Sequence, residues 1–69
     1  MNAIQKTTLS QLIRTGELAK ANQLSQLMAM NGIYNAKRVH HEVYEMFFAT
    51  QRHDAQSYDY HYSQVKQLL

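Results

Sequence analysis

"LMAMNGIYNAKRVHHEVYEMFF", residues 27–48, decides how the chain folds. It holds Leu27, Met28 and Met30, then Asn31-Gly32, then a basic step at Lys37-Arg38 and an apolar, aromatic stripe that ends in Phe47-Phe48. As a hairpin turn, Asn31-Gly32 needs alternating residues on both sides, and neither side alternates. As a helix end it is natural, because glycine takes the left-handed conformation without a Cβ clash. Downstream, Val39, Val43, Met46, Phe47 and Thr50 recur at helical spacing, with either Asn35 or Ile33 opening the helix. A second row, His40, Tyr44, Phe48 and Gln51, lies about 100° further round. This helix is therefore apolar over more of its circumference than one core needs.

Working outward, "AIQKTTLSQLIRTG" places Ile4, Thr8 and Leu12 beside Leu9 and Ile13 on one helical stripe, with Gly16 as a stop. Thr7 and Thr8 leave its start open. Thr15 is a candidate cap for the next helix, with Glu17 near its positive end. Leu18, Ala21, Leu24, Leu27 and Met28 form that helix's apolar face, which runs to about Met30. "TQRHDAQS" is polar and holds two possible caps, Asp54 and Ser57, so the third helix breaks there. The tyrosines of "SYDYHYSQVKQLL" alternate like a strand for five residues. Over the longer window Tyr58, Tyr62, Val65 and Leu69 form a helical stripe instead, which leaves Tyr60 facing outward. The expectation is a single all-α domain over residues 1–69, a compact bundle of three to four short helices.

With 69 residues and no cysteine, such a domain is short of core and has neither disulfides nor thiolate zinc to reinforce it. Self-association is the remaining support, so a homodimer is expected. No apolar run approaches the ~20 residues a membrane span needs, and the first residues lack a signal-peptide core, which points to a cytoplasmic protein. The net charge of +2 is too mild to announce nucleic acid.

Candidate chemistry is sparse. His41 and Glu45 are four apart on one helix face, with His53 and His61 further on, but a closed metal site needs about four convergent ligands and no H-E-x-x-H doublet occurs. There is no cysteine nucleophile, no glycine-rich phosphate loop and no Ser, His and Asp set in a chain able to wall a pocket. No enzyme activity and no cofactor are expected. "LAKANQLS" resembles the start of a helix-turn-helix, yet Gln23 stands where that motif prefers glycine, and the helix that would read bases is filled with Leu27, Met28 and Met30. Lys37 and Arg38 are the alternative, contacts to phosphate in a small DNA-binding regulator. The surplus apolar side chains point to a protein partner, since methionine and aromatic residues suit adaptable binding surfaces. The candidate interface is Val39, Val43, Tyr44, Met46, Phe47, Phe48 and Tyr60, dividing core and interface duties.

At "NGIYNAKRVHHEVYEMF" the chain resembles the small enterobacterial virulence regulators of the PerC-like and AraC negative regulator groups. Gly32-Ile33-Tyr34 and Ala36 match their centre, Val39 and Val43 continue the stripe, and "RHDAQSYDYHYSQVKQLL" occupies the closing segment. The chain departs from the pattern in having His40 or His41 where the central helix carries tryptophan, and no final cysteine. The resemblance implies a small helical dimer that binds an AraC-type transcription activator, inhibits it and so lowers virulence gene expression. A phage-type inhibitor of a host protein has the same appearance at the level of the residues alone.

Overall fold

Four helices account for most of the chain in the computed structural model, which covers residues 1–69: α1 (Ala3–Arg14), α2 (Leu18–Met30), α3 (Ala36–Gln51) and α4 (Ala55–Leu68). Three of them end in the same way. Gly16 at φ 80° and Gly32 at φ 71° turn the chain left-handed after α1 and α2. The freed amides then close back on the helix, Glu17 N–H donating to Leu12 O at 2.8 Å and Ile33 N–H to Met28 O at 3.1 Å. This double closure satisfies carbonyls that a helix end otherwise leaves unpaired. α3 ends identically, with Asp54 N–H on Ala49 O at 2.9 Å, but the left-handed residue is His53 at φ 57°. A side chain there costs about 1 kcal/mol or more relative to glycine.

The helix starts differ among themselves. Asn2 accepts from Gln5 N–H at 2.8 Å while the Gln5 side chain accepts from Asn2 N–H at 3.0 Å, a reciprocal cap. Asp54 accepts from Ser57 N–H at 3.1 Å and so opens α4; of the two expected caps it is Asp54 that acts. Thr15 is not the cap of α2. It closes α1, with its hydroxyl on Gln11 O at 3.0 Å, because the Gly16 turn stands between it and the next helix. α2 begins at Glu17 without a side-chain cap; Lys20 and then Thr15 hydrogen-bond the Glu17 carboxylate and hold its pKa below the usual carboxylate range. Asn35 occupies the cap position of α3 at φ 68° but makes no capping bond.

α3 is the spine. At 1.5 Å per residue its 16 residues run about 24 Å, most of the 31 Å length of the molecule. It packs against both α2 and α4, while α1 packs against α2. The core gathers Leu9 and Ile13 from α1, Met28 from α2, Val39, Val43 and Met46 from α3 and Val65 from α4. Two expected stripes are corrected. Ile4 is exposed, so α1 buries only its Leu9–Ile13 side, and the buried row of α2 is Leu18, Ala21, Ser25 and Met28, with Leu27 outside. Ser25 can be enclosed because its hydroxyl donates to Ala21 O at 2.8 Å, and its small side chain lets a neighbour come close. α2 is continuous through Leu24-Ser25, which leaves no helix-turn-helix at that point. No helix is long and apolar enough to cross a membrane.

Candidate functional site

The two rows expected on α3 have separate fates. Val39, Val43 and Met46 are 0% exposed, sealed between α2 and α4. Within the set expected to divide core and interface duties, these three take the core share, since they have no accessible surface in the folded chain. Phe47 is half-buried and packs on the core edge. The outer row remains open, with Tyr44 43% and Phe48 40% exposed.

That outer row is ordered. The Tyr44 and Phe48 rings meet edge to face with centroids 4.7 Å apart, and His40 follows at 6.2 Å from Tyr44. Four-residue spacing on a helix brings them together, and edge-to-face pairing suits the ring quadrupoles. Beside them, Tyr44, Phe47, Phe48, Gln51 and Asn22 of α2 line a groove of about 160 Å³. Asn22 Oδ1 is buried there with no hydrogen-bond partner. An acceptor left in that state costs about 1–3 kcal/mol.

α4 contributes a polar clamp that the sequence did not announce. His61 Nδ1 lies 2.6 Å from Glu42 Oε2 on α3, and His61 Nε2 lies 4.0 Å from Glu45 Oε2. The Glu42 and His61 side chains are each only 17% exposed, so this is an interhelix bond rather than a solvated pair. The spacing of Glu42 and Glu45 puts both on one face of α3, which was legible; that His61 faces them was not, because it depends on how α4 docks. His41 and His53 do not join the cluster, and no group of three His, Asp or Glu is arranged to hold a metal ion.

Tyr60 is 61% exposed, as its position between the half-buried Tyr58 and Tyr62 implies. Tyr58 is half-buried, and burial, then the neighbouring Tyr62 and Asp59, push its phenol pKa above the ordinary tyrosine value. Lys37 and Arg38 are exposed in the first turn of α3, beside His41 and Glu42. Neither forms an ion pair, and two cations at a helix start oppose the helix dipole. Comparison with protein-family models, with characterised proteins and with solved structures finds no match for this chain.

Proposed function

We propose that this chain is a non-enzymatic regulator that works by protein contact, pairing with a second copy and engaging its target through the outer row of α3. The observation that carries the reading is the ordered, exposed Tyr44–Phe48 pair on a helix whose other face is already enclosed. Aromatic side chains of this kind, rigid and apolar with a polar tip on tyrosine, are enriched where proteins meet. At roughly 25 cal/mol per Å² of apolar area, covering the open two-fifths of both rings in two copies yields several kcal/mol. Association costs about 4–15 kcal/mol before any contact is counted, so the pairing is expected to be weak and reversible. A contact of that strength suits a component that exchanges partners.

The target class comes from the resemblance at Gly32-Ile33-Tyr34 and Ala36, which implies an AraC-type activator held away from DNA. Co-purification of such an activator with the tagged chain tests it directly. Capture by the wild type, loss of capture by a folded Tyr44→Ala, Phe48→Ala variant and lowered promoter occupancy by the activator are the expected results. A folded variant that captures the activator as well as the wild type would contradict the role of α3. Salt-sensitive DNA binding by the chain alone, reduced by Lys37→Glu, would transfer the reading to a DNA-binding regulator.

A further inference from the structure

α1 and α4, the first and last helices, pack on α2 and α3 respectively and leave a groove of about 460 Å³ between them. Ile13 and Val65 form its buried floor, and the half-buried Tyr62 and Leu69 give it an apolar wall. Its remaining lining includes Lys6, Arg14 and Lys66, all exposed, and no Asp or Glu side chain. That imbalance is not a sample of the chain as a whole, which has five acidic side chains against seven Lys and Arg. Glu17, Asp54, Glu42 and Glu45 are spent on Lys20, Arg52 and His61, and Asp59 lines a different depression. No Asp or Glu side chain therefore pairs with Lys6, Arg14 or Lys66 at the groove.

We propose that the groove between α1 and α4 binds an acidic amphipathic segment of a partner protein, its apolar side on Tyr62 and Leu69 and its carboxylates on the three cations. The length of the seam fits. Its lining on α1 runs from Lys6 to Arg14, about 12 Å at 1.5 Å per residue, which matches a helical segment of about two turns. A helix laid in a groove is a common way to read an amphipathic partner, and opposite charge along the rim sets its orientation. Single-stranded nucleic acid fits less well, because it needs open aromatic faces for its bases. The groove offers a single aromatic ring, Tyr62, one face of which carries the Lys66 ammonium at 4.4 Å. This groove shares no lining residue with the one beside Tyr44 and Phe48, so the proposal stands whether or not the α3 row is an interface.

The test is fluorescence anisotropy of the full chain with a fluorescein-labelled peptide of about 12 residues, leucine on one helical face and glutamate on the other. Its lysine-for-glutamate analogue and a single-stranded DNA oligonucleotide serve as competing probes. The acidic peptide is expected to bind, to weaken about tenfold with Lys6→Glu, Arg14→Glu, and to change less than about twofold with the equal charge reversal Lys37→Glu, Arg38→Glu. Far-UV circular dichroism confirms that each variant is folded, and Lys66→Gln, which reverses no charge, gives a second variant with an expected weakening of about threefold. Absence of binding at low salt overturns the proposal. So does equal weakening by the two charge reversals, or tighter binding of the oligonucleotide or the basic peptide.

Discussion

Val39 and Val43 stand one position before His40 and Tyr44 along α3, and Met46 two before Phe48, yet Val39, Val43 and Met46 have no accessible surface while Tyr44 and Phe48 stay two-fifths open. The inner row meets α2 on one side and α4 on the other. The outer row meets its own members, ring on ring, and a shallow groove whose one buried acceptor, on Asn22, is unpaired. A helix with two apolar rows can saturate one of them within a small domain, and the packing of α1, α2 and α4 leaves the other partly open. On the proposed reading the inner row serves stability and the outer row association, and substitutions can separate the two.

The sharpest separation is Met46→Ala. It empties the enclosed inner row and is expected to lower unfolding free energy by about 2–5 kcal/mol in urea, while any residual folded protein keeps its tendency to associate. The interhelix clamp comes next. A double-mutant cycle of Glu42→Gln and His61→Ala, read by the same denaturation, is expected to show about 1–2 kcal/mol of coupling, since a charged acceptor is bonded in a partly buried seam. No coupling would mean that α4 is held by Val65 and its apolar neighbours alone. Tyr44→Ala with Phe48→Ala is expected to cost the monomer about 1 kcal/mol per ring, less than Met46→Ala, because two-fifths of each residue is already in water. A loss as large as that of Met46→Ala would erase the distinction between the rows.

His53→Gly acts outside both rows and relieves the left-handed strain after α3, raising stability by about 1 kcal/mol without altering association. The smallest effect is alkaline. Tyr58 has its pKa raised in the folded state, so the folded form holds its proton to higher pH than the unfolded one. Stability from this group is complete below the ordinary tyrosine pKa of about 10 and declines as pH rises above it. Tyr58→Phe is expected to flatten that decline in pH-dependent thermal unfolding.

The four helices were legible because their boundaries are written locally, in Gly16, Gly32 and Asp54, and because period 3.6 survives through the tyrosines of α4. Both rows of α3 could be drawn from spacing alone. Which row would close could not, since that depends on where α2 and α4 dock. Ser25 inside and Leu27 outside is the clearest case: hydrophobicity ranks them the other way, and the helix face that α3 meets decides it. The Asn2-to-Gln5 cap carries a signal in sequence, an Asn-x-x-Gln start ahead of Thr7 and Thr8. His53 had none, as a non-glycine residue in the left-handed region carries no mark in sequence. The groove of Lys6, Arg14 and Lys66 joins the two ends of the chain, and no window along the sequence could have united them.

Sedimentation equilibrium of the wild type and of the Tyr44→Ala, Phe48→Ala variant, over a range from about 1 to 500 µM, bears most directly on the outer row as an association surface. The wild type is expected to pass reversibly from monomer to dimer within that range, and the variant to remain a helical monomer throughout. A wild type that stays monomeric to the highest concentration, or a folded variant that dimerises as strongly as the wild type, would contradict the assignment of this row to self-association.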